Sequence, residues 1–373
     1  MTNFLSRFYS KIFPDKFAKF YEKIDEKQNI DSELKFLTEK FIISNSYKLV
    51  SRFWHILSIK GYKNLLKHGI KKYASTLAND YYTFTDVQDE WIDKAHINIK
   101  DFDNIDLKAQ LFKKHSHFNY KANIIYNYLC ILLFYNLKKT SSFKHLSKLQ
   151  DKSYLGFDDP SIKIEEFNIT TDKLASLLDY EKINKAFSFE KIKTVLEIGA
   201  GSGRTSDAIM SINENLNYVI CDIIPTMYVS YKRLKAAFPN KKISLLVDID
   251  DNEKLEKNIK ANDISFVFPH QLELLNNDLF DIVIAIDCMH EMDKKTSQYY
   301  FYLINRLSPN FYLSIWNKTK LPHSKTFFNK STRLDFDKGD YNFPENWDNH
   351  FRESLIFPSN HLSLGFKTKK KDN

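Results

Sequence analysis

Apolar positions along the chain change their period near residue 190. Before that point they recur at helical spacing: Leu34, Leu37 and Phe41 share one face, as do Ile124-Ile125, Tyr128-Leu129 and Leu132-Leu133. Ser51 to Gly69 makes a further amphipathic segment, and Gly61 and Gly69 are the only glycines before residue 150. Asp151 to Ser161, with Gly156 and Pro160, reads as a connector, and Ile169 to Ser188 as one more helix opened by Thr170-Thr171-Asp172. Residues 1–185 are therefore expected to form a mostly helical N-terminal domain, and residues 186–373 a second domain.

From Lys193 onward the pattern alternates strand and helix, which predicts an α/β domain with a doubly wound parallel sheet covered on both faces. Val195 to Ile198 is the first strand and Tyr218 to Cys221 the second, and Pro225 opens a helix running to Phe238. Ile243 to Val247 and Ile264 to Phe268 compete for the third strand, and the second of them is preferred. Phe280 to Asp287, nearly all apolar between its two acids, is a central fourth strand. The helix Lys294 to Leu307 and the strand Phe311 to Ile315 make a fifth unit, with Ser354 to Phe357 and Leu362 to Phe366 as edge strands around Asn360.

Three of the eight glycines follow the first strand, in Glu197-Ile198-Gly199-Ala200-Gly201-Ser202-Gly203. Glycine there lets the backbone turn sharply into a helix and lets a ligand approach the main chain. The next strand ends in Asp222, where a doubly wound fold places the carboxylate that holds ribose hydroxyls. A dinucleotide would want Gly-x-Gly-x-x-Gly, and neither register fits, since Arg204 and Ser206 occupy the third position. Glu197 would repel a pyrophosphate and favour a ligand carrying a sulfonium and an α-ammonium. A tight turn without a ligand is the plainer alternative, and the ordered addition of Asp222 tells against it. The spacing resembles motif I of the class I S-adenosylmethionine (SAM) dependent methyltransferases, which implies a Rossmann-like sheet, with SAM held by Glu197, Gly199, Gly201, Gly203, Asp222 and Ile223. Gln271, after Pro269-His270, would fall on the adenine side.

The resemblance narrows further. Tyr218-x-Ile220-x-Asp222-Ile223, then Tyr231 with Phe238-Pro239, and Phe280-Asp281-Ile282 leading to Met289-x-Glu291-Met292 are similar to bacterial sugar O-methyltransferases. The match covers roughly residues 190–320, with Ser51 to Trp54 a fainter echo and Lys241 to Asp263 longer than the pattern expects. It implies a sugar, nucleotide-sugar or glycan acceptor connected with surface polysaccharide. A sugar hydroxyl needs a general base, and His290 and Glu291, delivered by the end of the fourth strand, are the expected pair. Asp287 would contact the methionine end of SAM or cap the next helix, and His323 is a weaker base candidate. No metal is expected, although Asp287, Glu291 and Asp293 lie close enough in sequence to suit Mg²⁺. An RNA or protein methyltransferase, and a non-catalytic scaffold of the same fold, are the competing readings.

Charge and composition refine the rest. The net charge of +8 is spread along the 373 residues, and the one dense basic run is Lys367-Thr368-Lys369-Lys370-Lys371. This tail reads as a solvated end, with attraction to anionic sugars, nucleotides or a membrane surface as the sharper alternative. No nucleic-acid partner is expected, and a homo-oligomer is compatible with the chain. Charges and Pro14 interrupt Met1 to Phe20, so no signal peptide is expected, and Tyr128 to Tyr135 is too short to span a bilayer. Cys130, Cys221 and Cys288 show neither disulfide nor zinc spacing, which points to a reducing cytoplasm.

Overall fold

The structure, a computed structural model, describes residues 19–20, 30–82, 105–150, 159–320, 333–354 and 361–368. Most of the connector Asp151 to Ser161, His323, Asn360 and Lys369 to Lys371 lie outside them.

The helical half is set up by local caps. Asp31 accepts from the backbone of Glu33 and Leu34 and opens α1 (Ser32–Ile43), whose Leu34, Leu37 and Phe41 are buried. Ser51 caps α2 (Arg52–His68), which stops at Gly69 with φ 76°. Then come α3 (Tyr73–Tyr82), α4 (Ile105–Leu111) and α5 (Tyr120–Leu137), capped by Asn119 and buried nearly all round, as its long apolar run foretells. A small hairpin, β1 (Ile162–Ile164) and β2 (Phe167–Ile169), leads to α6 (Thr171–Phe187), capped by Thr170. The domain boundary expected near residue 185 falls inside α6, which packs on α5 and on the first helix of the sheet region.

The sheet region runs β3 (Thr194–Ile198), α7 (Arg204–Ile212), β4 (Asn217–Cys221), α8 (Thr226–Ala237), β5 (Ile243–Leu245), α9 (Asn252–Lys260), β6 (Ile264–Val267), β7 (Ile282–Ile286), α10 (Lys294–Leu307) and β8 (Asn310–Trp316). A side hairpin follows, β9 (Lys318–Lys320) with β10 (Arg333–Asp335), and then β11 (Trp347–Ser354) and β12 (His361–Thr368). The strand order is β11-β12-β8-β7-β3-β4-β6-β5, parallel from β8 to β5, with β12 antiparallel between β8 and β11. This is a Rossmann-like, doubly wound sheet preceded by a helical region. One face packs Tyr218, Ile220 and Ile284 against Leu34, Phe41, Tyr62 and Tyr73 of the helical half. The opposite face packs Leu196, Val219 and Val283 against Leu255, Phe301 and Ile304.

Three details differ from the sequence pattern. Both candidates for the third strand are strands: β6 pairs with β4, and β5 hangs on the outer edge of β6. A strand runs over Trp347–Ser354, largely exposed and with little apolar alternation, while the rest of the expected Ser354 to Phe357 strand lies outside the described residues. β12 is no edge strand. It lies between two neighbours and is buried over most of its length.

Candidate functional site

Chain order reverses between β3 and β7, which lie side by side. In open α/β sheets ligands gather at such a switch, outside the carboxyl ends of the strands. Gly199 makes the close approach there: at φ 75° a Cβ would stand 2.8 Å from Cys288 Cβ on the neighbouring strand end. Gly201, at φ 61°, has open space where its Cβ would be, so its backbone faces the crevice. Gly203 has another task. Its Cβ would meet Ser230 Cβ of α8 at 3.1 Å and it lines neither cavity; it starts α7 and lets α7 pack closely on α8.

Asp222 is buried at the end of β4 and organises the turn. Its Oδ2 accepts from Gly201 N at 2.7 Å, and its Oδ1 from Ile223 N at 2.7 Å and Thr226 Oγ1 at 3.1 Å. A carboxylate has roughly four lone-pair sites, so room remains for one more donor. Burial pushes Asp222 up to about 6 against those three hydrogen bonds. Glu197 is buried on β3 and accepts from Tyr218 Oη at 3.0 Å; burial pushes it up to about 7.

Two cavities meet at the glycine turn. The smaller, about 50 Å³, lies among Asp222, Ile223, Thr226 and Pro269, with Leu49, Val50 and Trp54 of the helical half closing over it. The larger, about 370 Å³, runs over Glu197, Gly201, Arg204, Asp287 and His290 beneath an apolar wall from α2, α3, α5 and α6. The Ser51–Trp54 segment joins them: Ser51 donates to the Glu291 carbonyl at 3.4 Å, and Trp54 lines both. Gln271, expected beside an adenine, is elsewhere. Its side chain is fully buried, accepting from Phe268 N and donating to Leu246 O and Ile249 O, each at 2.8 Å, so it pins the loop after β6.

Asp287 sits in the left-handed region, φ 57°, directly after β7, and its carboxylate faces the larger cavity. It does not cap α10, since Asp293 does. Arg204 stands 3.6 Å from Asp287 and 3.0 Å from Asp179 of α6, bridging the glycine turn to the helical half. Burial raises the Asp287 carboxyl, but His361, Arg204 and His290 outweigh that, and it ends below the usual carboxylate range. His290 and Glu291, the expected pair, both reach the cavity, with Nε2 and Oε1 4.0 Å apart and no hydrogen bond between them. His290 instead stacks on Trp316 at 4.8 Å, and burial lowers it to about 3. Glu291 is raised well above its ordinary value by burial and by Asp287. Burial also pushes the Cys288 thiol well up, which leaves it a poor nucleophile.

Among the described residues no group of three or more His, Cys, Asp or Glu is arranged to hold a metal, and Asp293 is occupied at the helix cap. No described helix is long and apolar enough to cross a membrane. Three residues that shape the cavity, Arg204, Asp179 and His361, went unassigned from the sequence because each acts through a neighbour distant along the chain.

No model of a known protein family matches the sequence, and no curated protein does. Solved structures similar to part of the chain include the pyocyanin biosynthetic protein PhzM, at 13% identity and TM-score 0.35 over 52% of this chain and 56% of that one. Another is the Burkholderia thailandensis 1,6-didemethyltoxoflavin-N1-methyltransferase, at 15% and 0.37 over 54% and 80%. A third is the glycopeptide N-methyltransferase MtfA in complex with SAM, at 11% and 0.34 over 52% and 87%. The chain thus spans little more than half the length of PhzM.

Proposed function

We propose that the chain is a SAM-dependent methyltransferase that methylates a hydroxyl of a sugar or nucleotide-sugar used in surface polysaccharide. One observation carries the reading: Glu197, the tight turn at Gly199, the open backbone of Gly201, and Asp222 converge in order at the sheet's switch point. The residues fit the cofactor. The remaining lone pair of Asp222 suits a ribose hydroxyl, and Glu197 suits the cationic methionine end. SAM supplies an activated methyl group on a sulfonium. The adenosine end would occupy the smaller cavity, moving Leu49, Val50 and Trp54 outward to gain room, with Ile223 and Pro269 as apolar walls.

The helical region up to about residue 185 would act as the cap over the acceptor, and residues from 186 onward as the cofactor-binding unit. Asp287, His290 and Glu291 would stand at the reacting edge. The three cysteines are free and buried, which suits a reducing compartment such as the cytoplasm. A second reading rests on the cavity's wall: Leu57, Leu77, Leu129, Leu133 and Leu178 favour an acceptor whose hydroxyl hangs on an apolar or aromatic body.

The test is transfer of labelled methyl from SAM to a panel of free and nucleotide-linked hexoses, beside small phenols. Methylation of a hexose is the expected outcome, and methylation of phenols alone would replace the sugar. A protein with no measurable affinity for SAM or S-adenosylhomocysteine would end the reading altogether, and NAD is expected not to bind.

Glu197 gives the proposal a pH signature. With its carboxyl at about 7 in the free protein, a cationic ligand pays part of its binding energy to ionise it, so affinity for SAM should rise as pH climbs through about 7. The same raised value acts oppositely on folding: Glu197 favours the fold while protonated, and that contribution fades as pH passes from the ordinary carboxylate range to about 7. Calorimetry in two buffers of different ionisation enthalpy should show proton release on binding. Release undiminished in Glu197→Gln would place the proton elsewhere.

A further inference from the structure

The reacting edge holds a second histidine, and its surroundings suit a base better than those of His290. Because β12 runs antiparallel to β8, its first residue, His361, pairs with Trp316 at the carboxyl edge of the parallel strands. The strand closest to the end of the chain thereby delivers a side chain to the crevice opened by β3 and β7. His361 is buried and lines the larger cavity, with Nε2 3.3 Å from Asp287 Oδ1.

Asp287 is fixed from several sides. Its backbone N donates to Ser314 O at 3.0 Å, its Oδ1 accepts from Ser314 Oγ at 3.2 Å, and Arg204 stands 3.6 Å from Oδ2. The His361 ring lies 5.7 Å from that of Trp316 and 5.9 Å from that of His290. Both ring nitrogens of His361 are buried with no hydrogen-bond partner, Nε2 standing 3.3 Å from Asp287 Oδ1 without making a hydrogen bond to it. Buried polar atoms of that kind are few in native proteins, and one lining a cavity is ready for a ligand's donor.

We infer that His361 and Asp287 form the proton-accepting dyad of this crevice, a small turn of the imidazole bringing Nε2–H onto Asp287 when ligands are seated, so that Nδ1 takes the proton of the acceptor hydroxyl. The inference rests on the methyltransferase reading above. As the acceptor oxygen bonds to the methyl carbon, the methyl C–S bond breaks with its electron pair going to sulfur. The hydroxyl proton passes to Nδ1, and the imidazolium is held by Asp287 until water removes the proton. Burial and the charges of Lys182 and Arg204 lower His361, while Asp287 and Asp179 raise it, and the net direction is down. At neutral pH it is thus the neutral imidazole that a base must be. His290, whose Nδ1 is likewise buried without a partner, has its Nε2 4.0 Å from Glu291 Oε1, beyond hydrogen-bond reach, and its ring stacks on Trp316.

The experiment has two arms on the full chain. Imidazole ¹⁵N NMR with S-adenosylhomocysteine present should show His361 neutral at pH 7 as the Nε2–H tautomer, assigned by its loss in His361→Gln, with the tautomer balance disturbed in Asp287→Asn. A charged His361, an Nδ1–H tautomer, or indifference to Asp287→Asn overturns the dyad, whether or not an acceptor is in hand. In the second arm, transfer to the hexose and phenol panel should fall roughly 10²- to 10⁴-fold in kcat for His361→Gln. S-adenosylhomocysteine affinity should stay within about twofold. A His361→Gln rate within a few-fold of wild type overturns the proposal. If neither SAM nor S-adenosylhomocysteine binds the wild type, the methyltransferase reading fails, and NMR of the ligand-free chain still decides the pairing of His361 with Asp287.

Discussion

Asp222→Ala is expected to weaken S-adenosylhomocysteine binding by at least roughly 10- to 100-fold, the worth of one charged hydrogen bond of about 1.5–3 kcal/mol. The substitution also orphans the backbone N–H groups of Gly201 and Ile223, whose acceptor is this one buried carboxylate. Stability should therefore drop by about 2–4 kcal/mol as well. Asp222→Asn separates the two effects, since its amide oxygen can serve one of those donors while the charge is gone. Calorimetry beside urea unfolding would read both quantities. Binding by Asp222→Ala equal to wild type would show that the carboxylate only braces the turn.

The second large effect contrasts two glycines of the same turn. Gly199→Ala forces an L side chain to φ 75° and drives its Cβ to 2.8 Å from Cys288 Cβ, which belongs to the end of β7 and has little room to retreat. Left-handed strain of about 1–2 kcal/mol and overpacking of about 1–3 kcal/mol should together lower the melting temperature by roughly 5–15 °C. Gly201→Ala carries only the first penalty, because nothing lies within 4 Å of the added methyl. That methyl would stand where the backbone faces the crevice, so this variant should fold and bind S-adenosylhomocysteine poorly. If Gly201→Ala binds normally while Gly199→Ala melts as wild type, the turn is not the cradle described here.

These contrasts show where local pattern suffices. The change of period near residue 190, the caps at Asp31, Ser51 and Thr170, and the glycine turn are written in short stretches of chain. Each depends on φ preference, side-chain reach or burial of one helix face, which neighbours in sequence settle. The same holds for β7, whose unbroken apolar run admits only a central position. Glu197 and Asp222 could likewise be placed at their strand ends, because each closes an apolar run at the carboxyl edge.

Side chains held by a partner distant along the chain are not legible in local sequence. Gln271 looked free for a ligand, yet Leu246 and Ile249 take both of its amide hydrogens across a loop. Gly203 looked like a third cradle position, yet the crossing of α7 and α8 claims it. Of everything at the crevice, the sequence alone determined the strand–turn–helix cradle and its two acids. Tertiary structure alone decided that His361, far along the chain, stands beside Asp287. The physical reason is that hydrophobic period specifies which face of a strand is buried but not its neighbour or direction, and the antiparallel insertion of β12 beside β8 is what carries His361 to the carboxyl edge of the parallel strands.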